Sequence, residues 1–320
     1  MNFTPLPQHD DPIITQFKPV RGQWELNDEN INRIDPKTGR TILHNYCKYI
    51  NATALEVYRY LIETKGCDVN VQDNDKDTPI HFALRCFDQN DGGNITVLTY
   101  LLSHNNTNAN VMGKYGNTLL HYACFGINTL TLDIFKLLIE RLGADVNAQD
   151  DNKDTPIHIA LSLFNSNNGG DITVLTYLLS QNDVDVSIKD EYDNTLLHAA
   201  CLNINKLPLD IFKVLIETMG FGVNARAQDN DTPIHYALSL FNPNKGGDIT
   251  VLTYLINQQN LNVNIKDQNG YNLLHSACTN HLSESRDSAE VNAECDTTLC
   301  QIVEVIVERC IEEVLDETTP

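Results

Sequence analysis

Ten histidines and nine cysteines are the residues of this chain best suited to hold a metal or move a proton. Seven of the histidines close a recurring tetrad: Thr41–His44, Thr78–His81, Thr118–His121, Thr155–His158, Thr195–His198, Thr232–His235 and Asn272–His275, the last lacking the threonine. Imidazole titrates near neutrality and is a common metal ligand, so such a row invites a catalytic or metal-binding reading. Spacing argues against it. Successive histidines stand 37, 40, 37, 40, 37 and 40 residues apart. One histidine per stacked unit puts neighbouring rings about 10 Å apart. Zinc needs each nitrogen at about 2.1 Å. The tetrad is therefore read as structural.

The other candidate chemistries are weak. His281, Cys295, Cys300 and Cys310 form one Cys/His group, but without the paired Cys-x₂₋₄-Cys spacing of a zinc site. No base or orienting group is marked near these thiols, so cysteine catalysis has no support. Gly92-Gly93, Gly169-Gly170 and Gly246-Gly247 precede helices and could receive an anion, yet Asp171 and Asp248 follow directly and would repel phosphate. No P-loop or dinucleotide-binding spacing is present. The run Asp73 to Asp77 lacks the glycine and distal glutamate of a calcium loop. No catalytic residue, metal site or cofactor is expected.

The elements that carry the tetrads alternate between two types, so the full unit is a pair of 77 residues. One type reads Thr-Leu-Leu-His-x-Ala-Cys at Thr118 to Cys124 and Thr195 to Cys201, then Leu-Asp-Ile-Phe-Lys at Leu132–Lys136 and Leu209–Lys213. The other reads Asp-Thr-Pro-Ile-His-x-Ala-Leu at Asp77–Leu84, Asp154–Leu161 and Asp231–Leu238, then Ile-Thr-Val-Leu-Thr-Tyr-Leu at Ile95, Ile172 and Ile249 onward. Threonine before proline is an N-cap signal, with proline in the first turn. Ile172, Leu175, Leu178 and Leu179 give the second helix one apolar face. Stretches such as Ala144 to Asp150 are polar and turn-prone. Cys47, Cys124, Cys201 and Cys278 share one position and are read as small buried apolar residues in a reducing compartment.

Thr-Pro-Ile-His-x-Ala-Leu, a leucine-rich helix and Ala-Asp-Val-Asn-Ala together resemble the ankyrin repeat. The resemblance covers residues 31–277, about three quarters of the chain. It implies an all-α solenoid of seven helix-turn-helix repeats with extended finger loops. It also implies a histidine that bonds the threonine hydroxyl and backbone. Repeats of 37 and 40 residues exceed the usual 33. The extra length falls between the two helices and forms a Gly-Gly ridge opposite the finger tips, a second candidate binding surface. Residues 1–30 are read as an N-terminal cap with Trp24 packed on the first repeat. Residues 278–320 are read as an interrupted acidic last repeat and a C-terminal capping helix from about Thr298 to Asp316.

The resemblance places partner binding on the concave face of finger tips and first-helix ends. There stand Lys37, Arg40, Tyr49, Asp75, Asp77, Arg85, Lys114, Tyr115, Phe125, Asp151, Asp154, Leu163, Glu191, Tyr192, Leu202, Asp229, Asp231, Leu240 and Tyr271. Its N-terminal end is basic and its centre acidic, with Tyr115, Phe125 and Tyr192 as anchors. The function expected is binding of another protein, as an adaptor or scaffold. The alternative is an enzyme, or part of one, with its site in residues 280–320. Against 22 Lys and Arg stand 43 Asp and Glu, a net charge of -21. Such a surface repels nucleic acid and favours a partner with basic groups. No Sec signal is visible at the N-terminus, and no apolar run reaches the about 20 residues of a membrane span. A monomer in the cytoplasm is expected. Glu308, Glu312, Glu313, Asp316 and Glu317, ahead of Thr318-Thr319-Pro320, resemble the tail of type IV secreted effectors of intracellular bacteria. They equally suit the solvated face of a helix in a eukaryotic or viral protein.

Overall fold

The computed structural model describes residues 33–87, 93–242, 245, 247–278 and 300–309. The N-terminal cap with Trp24, the acidic stretch after His275 and the tail beyond Arg309 lie outside the described residues. Among the described residues every regular element is helical. Helix α1 (Ile42–Lys48) pairs with α2 (Leu55–Arg59), and α3 (Pro79–Cys86) with α4 (Ile95–Leu102). Then α5 (Leu119–Phe125) pairs with α6 (Leu132–Lys136), and α7 (Pro156–Leu163) with α8 (Ile172–Leu179). Helix α9 (Leu196–Leu202) pairs with α10 (Leu209–Lys213), and α11 (Pro233–Leu240) with α12 (Ile249–Ile256). Helix α13 (273–278) and α14 (300–309) close the series. First helices α1, α3, α5, α7, α9 and α11 stack in chain order, each on the next.

The start of each first helix follows from the tetrad. Thr118 is the N-cap of α5; its N–H donates to His121 Nδ1 at 3.1 Å and its hydroxyl lies 2.8 Å from the same atom. A ring nitrogen that accepts from a backbone N–H is unprotonated, so the proton sits on Nε2. That Nε2–H donates to the carbonyl of Asp154 in the next repeat at 3.0 Å. His44 reaches Asp77 and His198 reaches Asp231 in the same way, at 3.1 and 3.3 Å. His44, His121 and His198 thus cap their own helices and tie one repeat to the next, whereas the buried Nε2 of His81, His158 and His235 has no such partner.

The second helices use two designs. In the longer repeats Asn94, Asp171 and Asp248 cap α4, α8 and α12, accepting N–H groups at 2.8 to 2.9 Å. In the shorter repeats α2, α6 and α10 run on into π-helical turns at Tyr60–Thr64, Leu137–Arg141 and Val214–Thr218. Each ends at a left-handed residue, Gly66, Gly143 or Gly220, the conformation that closes a helix most cheaply with glycine.

The core runs the length of the stack. Ala83, Ala123, Ala160, Ala200 and Ala237 are fully buried on the first helices and let them approach closely. Leu98, Phe135, Leu175, Phe212 and Leu252 fill the space from the second helices. Cys47, Cys124 and Cys201 are buried thiols in this core. Cys278, at the same position, is exposed, and so departs from the reading of all four as buried. No described repeat covers the outer side of α13. Ile302 and Ile306 of α14 are buried, and Arg309 Nη2 donates to the Gln258 carbonyl at 2.8 Å, so α14 seats against the end of α12.

The Gly-Gly segments have a specific fit. Asn128 Nδ2 donates to the Leu163 carbonyl at 2.8 Å, and its Oδ1 accepts from Asn165 N–H at 2.7 Å. A Cβ on Gly170 would lie 2.7 Å from that Asn128 Oδ1. Asn205 repeats the clip on Leu240 and Asn242, and a Cβ on Gly247 would meet it at 2.6 Å. Glycine is demanded here by close approach of a neighbouring side chain.

Candidate functional site

The finger loops build one edge of the candidate site. In several of them an aspartate folds the tip: Asp150 Oδ1 accepts the N–H groups of Asn152 and Asp154 at 2.9 and 3.0 Å. Asp73 and Asp190 do the same in their loops. Neighbouring tips are joined by backbone bonds of 2.8 to 2.9 Å: Asn74 to Thr38, Asp151 to Tyr115, Glu191 to Asn152, Gln228 to Tyr192 and Gln268 to Asp229. Between the Asp73–Asp77 and Lys114–Asn117 tips the link is instead the Lys114 N–H on Asp77 Oδ1 at 2.8 Å, and together these bonds make the edge continuous. One tip residue per loop takes a left-handed conformation, namely Lys76, Tyr115, Lys153, Asp193 and Asn230.

Along this edge Tyr115 is 65% exposed and Tyr192 57%. Facing them, the last residue of successive first helices is exposed and apolar: Phe125, Leu163, Leu202 and Leu240. Tyr49 and Tyr271 extend the row at its two ends. Among the described residues this is the largest ordered set of large apolar groups left uncovered. Exposed apolar patches rimmed by polar residues mark interaction sites. Carboxylates flank the row. Asp75, Asp151 and Glu191 are exposed, and Asp154, Asp229 and Asp231 are half-buried.

Both arginines of the N-terminal end are committed internally. Arg40 Nε donates to Asp73 Oδ2 at 3.0 Å, and Arg85 Nη1 to Asp77 Oδ2 at 3.1 Å. Both guanidiniums lie over the Phe82 ring, 4.6 and 4.4 Å from its centroid. Asp77, expected at the surface, is only 1% exposed. It also accepts the Tyr122 hydroxyl at 3.0 Å and the Lys114 N–H at 2.8 Å. Lys114 Nζ sits 3.6 Å from Asp75, and Lys37 is exposed at the first tip. The basic end is thereby largely neutralised, and the acidic centre dominates the face.

That centre is electrostatically unbalanced. Burial, with Asp150, Asp190 and Glu191 nearby, pushes the Asp154 carboxyl up to about 7. Burial, with Asp229 and Asp267 nearby, pushes Asp231 up to about 7. The tetrad histidines move the other way. Burial lowers His81, His158 and His198 to about 4 and also lowers His44, His121 and His235. They are neutral helix caps at physiological pH. No group of three or more His, Cys, Asp or Glu among the described residues is arranged to hold a metal ion. Of the Cys/His group near the C-terminus only Cys300 is described, and it is exposed.

A family model of ankyrin repeats (3 copies) matches in overlapping stretches, residues 22–110, 55–150, 89–190 and 127–227. The chain belongs to the ankyrin-repeat family. Curated relatives include alpha-latrocrustotoxin-Lt1a of Latrodectus tredecimguttatus, 27% identical over 77% of this chain and 16% of that protein. Putative ankyrin repeat protein L91 of Acanthamoeba polyphaga mimivirus is 36% identical over 36% of this chain and 18% of its own length. Putative ankyrin repeat protein FPV024 of fowlpox virus is 31% identical over 38% of this chain and 19% of its length. The chain thus spans less than a fifth of the length of these relatives. Among solved structures, the ankyrin repeat domain of Bcl-3 superposes with a TM-score of 0.52 at 16% identity, covering 84% of this chain and 98% of that one. The likeness is one of fold. Ankyrin repeats are protein–protein interaction modules, typically without enzymatic activity. Among the described residues no helix is long and apolar enough to cross a membrane.

Two parts of this site escape the repeat pattern. The internal pairs Arg40–Asp73 and Arg85–Asp77 require knowing which tip folds over which helix. The asparagine clips at Asn128 and Asn205 lie in irregular segments, and only their 77-residue recurrence in the sequence hints at a role.

Proposed function

We propose that this ankyrin array binds an extended or helical segment of another protein in the groove between finger tips and first-helix ends. One observation carries the reading: Tyr115, Phe125, Tyr192 and Leu202 form an exposed row bordered by Asp151, Asp154 and Glu191. Large rigid aromatics contribute most of the energy at protein interfaces. The carboxylates favour a partner with basic side chains and speed its approach. Lys37, Arg40, Arg85 and Lys114 serve this site by neutralising its N-terminal end, which directs basic groups to the centre. Tyr49, Asp75, Asp229, Asp231 and Tyr271 extend it at both sides.

The array proper is residues 31–277, with residues 1–30 and 278–320 as caps. We place the protein in a reducing cytoplasm as a monomer that acts as adaptor or scaffold. The buried thiols Cys47, Cys124 and Cys201 suit that compartment, because burial pushes all three well above the usual thiol range and keeps them unreactive. The acidic residues from Glu308 to Glu317 suit either a secreted effector acting in a host cytosol or the solvated face of a helix in a eukaryotic or viral protein.

The test is affinity capture from eukaryotic lysate with wild type and with Tyr115→Ala/Tyr192→Ala/Asp154→Lys, at low and moderate salt. The captured partner is then purified and its affinity for both chains measured. The reading expects at least a tenfold loss in the triple variant, on the scale of one or two truncated hot-spot residues. Equal affinity for both chains moves the site to the Gly-Gly ridge or the ends.

A further inference from the structure

The 77-residue period supplies an internal comparison. Asp73 and Asp77 recur as Asp150 and Asp154. Around the first pair the chain provides Arg40, Arg85 and Tyr122. One period later those positions hold Asn117, Ser162 and Ala199, and Lys114 is replaced by Glu191. The carboxylates are kept while the two cations and the hydroxyl donor that satisfy them are gone. Ala199 also lacks the ring that Tyr122 lays against Asp77, and Asp154 is correspondingly more exposed than Asp77.

We propose that the notch over Asp154, bounded by Asp150, Asp190 and Glu191, receives an arginine side chain from the partner protein, in the place that Arg85 occupies over Asp77. The proposal rests on the groove reading and names the residue type that the partner brings to it. Three features on the face support it. The chain already uses arginine for this position one period earlier, where Arg85 passes from the end of α3 to the tip carboxylate. Ile159 stands one period after Phe82, and the exposed Leu163 and Leu202 end α7 and α9 on this face, so apolar groups are available to cover an arginine stem, as the Phe82 ring does for Arg85. The charged groups acting on the Asp154 carboxyl are Asp150, Asp190 and Glu191, and Lys153 of the same tip forms no ion pair with it, so an incoming guanidinium meets complementary charge. Arginine is favoured over lysine because its planar fork can serve two carboxylates at once, whereas an ammonium is a single point charge.

The test uses the full chain, isotope-labelled, and three small probes: N-acetyl-arginine amide, N-acetyl-lysine amide and N-acetyl-citrulline amide. The arginine probe is expected to shift the amide signals of Asp154, Ser162 and Glu191 saturably, lysine less, and the uncharged citrulline not at all. Asp154→Asn weakens the arginine response about tenfold, the loss typical of one charge-assisted hydrogen bond. Ser162→Arg rebuilds the Arg85 arrangement within the chain; its success is read from the Asp154 carboxyl titration falling to the ordinary carboxylate range. In that variant the arginine response disappears. Equal, dispersed shifts with arginine and lysine overturn the proposal, as does an undiminished response once Ser162→Arg has paired. The groove reading is judged separately by Tyr115→Ala/Tyr192→Ala: loss of the purified partner there, with no arginine selectivity at Asp154, retires the arginine assignment alone.

Discussion

Asp154→Asn should stabilise the fold, and more so at higher pH. Among the described residues no hydrogen bond reaches the Asp154 carboxyl; its backbone makes the contacts, with its N–H on Asp150 and its carbonyl on His121. The substitution therefore removes a charge and little else. The carboxyl moves from an ordinary 3.8 to about 7. At 1.36 kcal/mol per tenfold change in acidity that is a ceiling of about 4 kcal/mol. The group is only partly shielded from water, and screening reduces this to about 1 to 2 kcal/mol. The sign follows from proton linkage. The folded state holds the Asp154 proton more tightly than the unfolded chain, so the carboxylate's penalty grows as pH rises from about 4 and is complete just above about 7. Urea unfolding at pH 8 should show the full gain for Asp154→Asn, and at pH 4 less than half of it. An equal gain at both pH values, or a loss at pH 8, would refute the account of this carboxyl. Since the same residue is assigned to the partner, the fold gives up stability at the place where it binds.

The tetrad histidines make the opposite prediction. With folded values near 4 for His81, His158 and His198, below the usual 6.5, their contribution to stability is present above pH 6.5 and lost as pH falls through 4. Their ring nitrogen spectra at pH 5.5 should show neutral imidazole with the proton on Nε2; charged rings at that pH would contradict the capping role. Asn128→Ala removes the two bonds that hold the Gly-Gly ridge to the preceding repeat and should cost about 1 to 3 kcal/mol in urea unfolding. Unchanged stability, with unchanged amide exchange at Asn165 and Gly170, would show the clip to be incidental.

Much of this was legible in the sequence because repetition multiplies weak signals. A single Thr-x-x-His says little, but six of them and a seventh histidine in step, at two alternating spacings, fix the helix pairs and their order. The caps Asp171 and Asp248 were readable too, since an acid directly before an apolar helix has few other uses. What escaped were contacts between residues one repeat apart. Arg40 and Arg85 carry no mark that distinguishes a cation free to meet a partner from one folded onto Asp73 and Asp77. Asp77 reads as a polar tip residue, yet its place beneath Tyr122 and Arg85 makes it nearly inaccessible. Glycine pairs signal a turn, and only the position of Asn128 shows that they answer a side chain pressed against them. Cys278 has the sequence neighbourhood of Cys124 but, among the described residues, no covering repeat.

The central claim is that the groove, and not the outer face, holds the partner. It is tested most directly by a photo-crosslinking residue placed at Tyr192 and, separately, at Tyr177. Tyr177 lies on second helix α8, where its hydroxyl donates to Glu140 at 3.0 Å. The account predicts that the purified partner crosslinks from position 192 and not from 177. Crosslinking from 177 with none from 192 would contradict it.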